Sequence, residues 1–142
     1  MGYSIKTADD LRWFLTHTQG FSGGHVLEVH LSKRWVFDEE SMRQVPAGSA
    51  VSVVVWYETH GVPRLATLTM QGVSDLSLLE QDGADWSALS TVQVELCDGR
   101  FRFWFDPQGV FYVVCEDVWI EEHACAPGEQ RGTLPRGMGR KR

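Results

Sequence analysis

The histidines and cysteines are the side chains of this 142-residue chain that could hold a metal ion or transfer a proton. His25 and His30 stand five residues apart in a segment with strand-like alternation, so their side chains point to opposite faces. His123 and Cys125 would point the same way, but a third ligand would have to come from elsewhere in the chain. This spacing favours exposed or hydrogen-bonded histidines over a metal site, and we predict no metal and no cofactor.

Carboxylates and thiols offer two further kinds of chemistry. Neighbouring acids such as Glu121 and Glu122 diverge on a strand, so they do not form the facing pair of a glycosidase, and a solvated rim explains them. Cys97 lies beside a turn with Arg100 and is a candidate nucleophile, although a structural thiol is the commoner case. The sequence contains no phosphate loop, dinucleotide-binding glycine motif, nucleophile elbow or zinc pattern. We therefore predict that the protein is not an enzyme.

Aromatic and polar residues near the C-terminus are better suited to binding a protein. Gln93, Arg102, Trp104 and Tyr112 fall on one face of a predicted antiparallel meander. Large aromatic side chains beside arginine are enriched in protein interfaces. The alternative is that the N-terminal helix covers this face.

A second candidate surface for a partner is acidic, and it consists of Asp38, Glu39 and Glu40. The net charge of the chain is −6, and residues 1–128 carry 8 basic and 18 acidic side chains against 5 and 1 in residues 129–142. An acidic body repels nucleic acid and attracts a basic partner. We therefore predict a protein partner, of the kind a basic toxin domain would provide, and no nucleic acid.

The meander that positions these side chains comprises residues 91–122, where every second residue is apolar over most of the length. Asp98-Gly99 is a preferred two-residue hairpin turn, and it pairs Cys97 with Arg100. A second turn is predicted at Asp106-Pro107-Gln108-Gly109, where proline and glycine occupy preferred positions. The strands on either side of these turns should share one apolar face.

The rest of the chain predicts one helix and several strands. Thr7 and Asp10 form a capping box, and the helix should end near Thr18 and lie on a sheet. Its apolar stripe consists of Ala8, Leu11, Phe14 and Leu15. Strands are predicted at residues 25–31, 50–58 and 73–79, with residues 34–38 as a continuation of the first or a short separate strand.

Turns and irregularities connect these strands. His60-Gly61 is a two-residue turn that pairs Val55 with Ala66. Residues 39–49 are predicted as an irregular connection with at most a short helical turn. The alternation falters at Glu116-Asp117, which predicts a β-bulge that changes which residues face inward.

Seven or eight strands and one leading helix predict a mainly β, α+β fold. The antiparallel meander would form a β-sandwich or a strongly curved, partly open barrel. Chain length and 43% apolar residues fit one domain at residues 1–124, followed by a basic, flexible tail at residues 125–142. No apolar run approaches the roughly 20 residues of a membrane helix, and three unpatterned cysteines suit a reducing compartment. We predict a cytoplasmic protein that does not bind membranes.

Three segments resemble the immunity protein 50 family of small bacterial β-rich proteins, which are encoded beside polymorphic toxins. Residues 21–31, opening on Phe21-Ser22-Gly23-Gly24, resemble the family's first strand. Residues 68–76, with Gly72-Val73, resemble its central strand, and residues 98–118 resemble its closing hairpin and strand. Ser22-Gly23 stand where the family's Phe-His-Asp signature has His-Asp, so no role of that pair carries over. The resemblance implies an inhibitor that masks a toxin stoichiometrically, without turnover.

Two other functions are compatible with the sequence, which does not specify an oligomeric state. A small-ligand-binding, lipocalin-like domain would line its pocket with aromatic residues, namely Trp56, Trp86, Phe103 and Phe111. A hydrolase or metal-dependent enzyme would need at least three candidate groups to converge in space, drawn from His25, His60, His123 and Cys125.

Overall fold

A computed structural model describes residues 2–78, 87–105 and 111–125, and these residues contain one α-helix and nine β-strands. The helix α1 spans Ala8–Thr18, and one 3-10 turn follows it at Gln19–Phe21. The strands are β1 (Gly2–Ile5), β2 (His25–Asp38), β3 (Arg43–Thr59), β4 (Val62–Gln71), β5 (Asp75–Leu78), β6 (Gln93–Cys97), β7 (Arg100–Trp104), β8 (Phe111–Cys115) and β9 (Asp117–Ala124).

The strands form two antiparallel sheets whose apolar faces share one hydrophobic core. The first sheet has the order β1-β9-β4-β3-β2, and the second has the order β5-β8-β7-β6. Val53 and Leu68 of the first sheet and Phe103 and Val113 of the second are completely buried. The predicted mainly β fold with an N-terminal helix is confirmed as a sandwich. Within the described residues both sheets are open, so neither closes into a barrel.

Two hairpin turns have the predicted geometry and set the predicted registers. Asp98 and Gly99 have φ of 53° and 75°, and Cys97 pairs with Arg100. His60-Gly61 also has two positive φ values, 53° and 78°, and directs the pairing of β3 with β4. Two consecutive positive φ angles give the twist that joins adjacent antiparallel strands.

The predicted bulge at Glu116-Asp117 is instead a change of sheet. β8 ends at Cys115 in the second sheet, and β9 begins at Asp117 in the first, where it pairs with β4 and β1. Odd-numbered residues face the core in β8, whereas even-numbered residues such as Val118 face it in β9. The alternation of apolar residues therefore does shift by one residue at this point, but the shift marks the crossing of the chain from one sheet of the sandwich to the other.

The strands β2 and β3 are longer than predicted. Residues 39–42 form a tight turn between them, and the Met42 amide donates a hydrogen bond of 2.7 Å to the Asp38 carbonyl, as in a single helical turn. β2 continues to Asp38, and β3 begins at Arg43 and includes Pro46. Since β4 pairs with β3 only from Ala50 onwards, residues 33–49 form a two-stranded extension of the first sheet. We call this extension the arm.

Leu27 does not share a face with Val29 and Leu31, although uninterrupted alternation along residues 25–31 would place all three on one face. It is the extra residue of a β-bulge, because Val26 pairs with Val55 and Glu28 pairs with Val54. Val26 is consequently buried, whereas Leu27 is 49% exposed.

The N-terminal strand β1 was not predicted. It pairs with β9 near the C-terminal end of the described chain, and Ile5 is buried opposite Val118. A second difference is that β5 begins only at Asp75. The predicted turn at residues 106–109, the anchor Trp86 and most of the predicted basic tail lie outside the described residues.

The capping box of α1 is confirmed: the Thr7 hydroxyl accepts from the Asp10 amide, and the Asp10 carboxylate accepts from the Thr7 amide, each at 3.1 Å. Leu11 and Phe14 are buried as predicted, but Ala8 is exposed at the first turn. The helix has eleven residues, and no helix in the described part of the chain has the length and apolar character that crossing a membrane requires.

Replacing Gly99 by alanine should lower the free energy of unfolding by about 1–2 kcal/mol, because a side chain in the left-handed region carries that cost. A Cβ at position 99 meets no atom within 4 Å, so the loss would arise from the backbone alone. Urea unfolding followed by circular dichroism measures it. Asp98→Asn is the matched control, since asparagine tolerates a positive φ, and it should change stability by less than about 0.5 kcal/mol. A Gly99→Ala protein as stable as the wild type would contradict this turn geometry.

Candidate functional site

The structure brings together the four residues predicted near the C-terminus. Trp104 of β7 lies opposite Gln93 of β6 and Tyr112 of β8, so these three side chains form a row across the second sheet. Arg102 lies in the next row, opposite Glu95 on one side and Val114 on the other. We call these six residues, all on the face of the sheet that points away from the core, the meander face.

The meander face is open to solvent to different degrees along its rows. Gln93 and Arg102 are exposed, and Trp104 and Tyr112 are half-buried. The Tyr112 hydroxyl donates a hydrogen bond of 3.3 Å to a carboxylate oxygen of Asp75, which fixes the tyrosine ring at the edge of the sheet. The face therefore presents two large rings held beside one arginine.

The N-terminal helix does not lie on this face. Phe14 of α1 contacts Phe21 edge to face, and Phe21 in turn contacts Tyr57 of the first sheet, with ring centroids 5.5 and 4.8 Å apart. The helix thus packs against the inner face of the first sheet, and the alternative in which it covers Trp104 is wrong.

The acidic candidates lie on a different surface, at the tip of the arm. Asp38 ends β2, and its carboxylate accepts from the Ser41 hydroxyl at 2.7 Å and from the Glu40 amide at 3.3 Å. These hydrogen bonds, the one from Ser41 foremost, hold the pKa of Asp38 below its ordinary value. Asp38 ends a strand of the first sheet, and Glu39 and Glu40 follow it in the turn, so these acids are separated from the meander face on the second sheet.

The arm also carries large apolar side chains that the sequence analysis did not single out. Trp35 and Phe37 are 55% and 53% exposed, and Val36 and Met42 are exposed as well. The sequence does not single them out, because residues 34–38 fit both a continuation of the first strand and a short separate strand, and neither predicts which side chains are exposed. Contiguous exposed apolar residues of this kind mark interaction surfaces.

Glu122 is the main buried charge in the described chain, with 2% of its surface exposed. The hydroxyls of Tyr3 and Tyr57 both donate hydrogen bonds to its carboxylate. His17 Nε2 lies 3.1 Å from one carboxylate oxygen, and Arg64 Nε lies 3.7 Å from the other. Four side chains from α1, β1, β3 and β4 thus converge on one residue of β9.

These contacts determine the protonation of the cluster. Burial favours the neutral form of Glu122, but the hydrogen bonds from Tyr3 and Tyr57 and the influence of His17 and Arg64 outweigh it and hold the pKa of Glu122 below its usual value. Burial, followed by the hydrogen bonds to Glu122, raises the pKa values of both tyrosines. The carboxylate is ionised and surrounded by partners from other elements, so the cluster fastens the helix to the sheet.

Sequence reasoning misassigned Glu122 to a solvated rim together with Glu121. One signal could have identified it, because Glu122 continues the even-numbered series of Val118 and Ile120 that faces the core. A lone carboxylate in phase with an apolar face predicts a buried, paired charge.

The groups proposed for a hydrolase do not converge. His25 and His123 lie on the outer face of the first sheet at the two ends of one row, which passes through Trp56 and Leu65. Three strand spacings of about 4.8 Å separate these histidines by about 14 Å. His60 lies in a turn, and the described residues contain no group of three histidine, cysteine or acidic side chains arranged to hold a metal ion.

The aromatic residues proposed for a ligand pocket are also apart. Phe103 and Phe111 are completely buried between the sheets, whereas Trp56 alternates with the core residues of β3 and points to the outer face. The fourth residue, Trp86, lies outside the described residues. The thiol of Cys115 is buried in the same core, and burial raises its pKa to about 12, so it is a poor nucleophile.

Comparison of the chain with protein-family models, with curated proteins and with solved structures finds no match.

Replacing Glu122 by glutamine should lower the free energy of unfolding by about 2–3 kcal/mol, the scale of hydrogen bonds to a charged group. The substitution keeps the side-chain shape but removes the charge that Arg64 and the two tyrosines face. Urea unfolding at pH 7 measures the loss. Glu121→Gln is the matched control on the opposite face of β9, and we expect it to stay within about 0.5 kcal/mol of the wild type. Equal stability of the two variants would show that the cluster does not hold the fold together.

The pH dependence of stability should carry a contribution from Glu122. Its pKa in the folded protein lies below the ordinary value of 4.5, so the unfolded chain takes up the proton first as the pH falls. The contribution is present above pH 4.5 and is lost as the pH falls through the folded-state pKa. Wild-type protein and Glu121→Gln should therefore lose more unfolding free energy than Glu122→Gln over this window. Parallel curves for Glu121→Gln and Glu122→Gln would contradict the assignment.

Proposed function

We propose that the protein is a non-catalytic binding module whose protein partner docks on the meander face. The observation that carries the proposal is the row of Gln93, Trp104 and Tyr112 beside Arg102 on an outer sheet surface that the helix leaves uncovered. Two rings held by a regular sheet lose little conformational freedom on binding, and tryptophan, tyrosine and arginine are the residues that most often dominate interface energies.

The charge of the chain supports a basic partner. With a net charge of −6, the protein would accelerate the approach of a positively charged domain and slow that of nucleic acid. A nuclease toxin presents a basic substrate-binding cleft, so a protein of this charge is suited to masking one.

The most specific form of the proposal is an immunity-type inhibitor that acts in the cytoplasm of the bacterium producing the toxin. This form rests on the resemblance to the immunity protein 50 family over residues 20–122, and on the need for a stoichiometric inhibitor to bind without turnover. The Glu122 cluster is compatible with a module that does not turn over a substrate, because the buried carboxylate already accepts hydrogen bonds from Tyr3 and Tyr57 and lies 3.1 Å from His17 Nε2.

The direct test uses the toxin domain encoded beside this gene. The two purified proteins should form a one-to-one complex by isothermal titration calorimetry, and co-expression should restore growth of cells that make the toxin. Absence of a toxin domain from the neighbouring genes, or a toxin domain that neither binds nor is neutralised, would refute the immunity proposal.

Arg102→Glu should weaken the complex by about tenfold or more, and Trp104→Ala by about thirtyfold, because an interface tryptophan is worth about 2 kcal/mol or more. Calorimetric dissociation constants measure both effects, with circular dichroism confirming that each variant is folded. Arg12→Glu is the matched control: it makes the same change of net charge at an exposed arginine of α1. More negative charge alone would not weaken the binding of a basic partner, so Arg12→Glu should leave the complex at least as tight as the wild type. A complex that Arg102→Glu weakens no more than Arg12→Glu does would show that the meander face is not the docking site.

A further inference from the structure

Among the described residues, the outer edge of β2 has no backbone partner over most of its length. β2 is the last strand of the first sheet, and the Val26 amide donates a hydrogen bond of 2.7 Å to the Ser87 carbonyl at the start of that edge. Beyond this point no backbone group in the described ranges pairs with the edge through to Asp38. An unpaired edge strand is a template for a strand of another chain.

The part of β2 without a described partner is also regular. One bulge places its extra residue at Leu27, and the other places its extra residue at Ala47 on the neighbouring strand, because Arg34 pairs with Gly48 and Trp35 with Pro46. Residues 28–38 of β2 therefore alternate without interruption. An incoming strand would meet a continuous ladder of backbone donors and acceptors.

The sequence of this edge is complementary to itself when it is reversed. Residues 33–39 read as two bases, an aromatic residue, valine, an aromatic residue and two acids, namely Lys33, Arg34, Trp35, Val36, Phe37, Asp38 and Glu39. An antiparallel pair related by a two-fold axis through Val36 would place Trp35 opposite Phe37 and Arg34 opposite Asp38. Aromatic pairs and opposite charges are the cross-strand pairs that stabilise a sheet.

Other registers do not match in this way. A two-fold axis perpendicular to the sheet keeps each side chain on its own face, and residues opposite each other in an antiparallel pair share a face. The residue at the axis must therefore face its own copy. Centring the pair on Trp35 would set Lys33 opposite Phe37, and centring it on Arg34 would set Lys33 opposite Trp35. The register through Val36 matches both charged ends and both rings at once.

We propose that a second copy of this chain pairs with the outer edge of β2, antiparallel and centred on Val36. The two first sheets, of five strands each, then join into one sheet of ten strands. Because each arm extends beyond β4, antiparallel arms place the two bodies at opposite ends of the joint and leave room for both. The exposed Trp35 and Phe37 side chains cover each other across the interface. The meander face belongs to the other sheet, so this inference goes beyond the proposed function and leaves that face free on both copies.

A disulfide cross-link tests the register. The test uses a protein in which Cys97→Ser and Cys125→Ser remove the other accessible thiols. In the proposed dimer, the side chain introduced by Val36→Cys faces its own copy with a Cα separation of about 4.5–5.5 Å, which is within the range of a disulfide. Leu31→Cys is the matched control on the same exposed strand, and its own copy would lie ten residues away, about 33 Å. Mild oxidation should give a covalent dimer of Val36→Cys and almost none of Leu31→Cys. Equal cross-linking of the two variants would overturn the register.

Charge reversal provides a second readout that needs no new cysteine. Lys33→Glu and Glu39→Lys should each raise the dissociation constant of the dimer about tenfold, because each places two like-charged pairs across the joint. The double variant Lys33→Glu, Glu39→Lys should restore wild-type association, measured by sedimentation equilibrium. A wild-type protein that is monomeric at all concentrations, or a double variant no tighter than the singles, would overturn the proposal. Neither measurement involves the toxin domain, so failure here is distinct from failure of the proposed function.

Discussion

The ionised carboxylate of Glu122 is the constraint on which the architecture depends. An unpaired charge in the interior costs several kcal/mol, so the chain must bring donors to it. One donor, Tyr3, is 119 residues away in sequence and reaches the carboxylate only if β1 is placed beside β9. A second, His17, requires α1 to lie over the same end of the sheet. Satisfying one side chain therefore fixes both the N-terminal strand and the helix.

This arrangement also determines where the protein can interact. The aromatic rings of the second sheet, such as Phe103 and Phe111, fill the space between the layers, and the Glu122 cluster occupies the end covered by the helix. The chemistry available to other molecules is then that of the outer surfaces. Two such surfaces lie on different sheets: the meander face, and the arm with Trp35 and Phe37. The two proposals therefore place the partner on one sheet and a second copy of the chain on the other.

The sequence determined the parts of the fold that depend on local turns. Asp98-Gly99 and His60-Gly61 fix their registers within a few residues, so both hairpins and the composition of the meander face were predictable. The pairing of β1 with β9 was not, because nothing local connects strands so distant in the chain. The arm was missed because Pro46 and a nearby glycine are typical of loops, yet β3 accommodates them next to a bulge. The burial of Glu122 was not predicted, because two adjacent glutamates are typical of an exposed strand end and Glu121 is indeed exposed.

The central claim is that this protein acts by binding on an outer sheet surface and not through its interior. Amide hydrogen exchange of the full chain, measured with and without the neighbouring toxin domain, tests it most directly. The account predicts slower exchange in β6, β7 and β8 in the complex, with unchanged exchange around Tyr3, His17 and Glu122. Slower exchange confined to the surroundings of Glu122, with β6 to β8 unaffected, would contradict it.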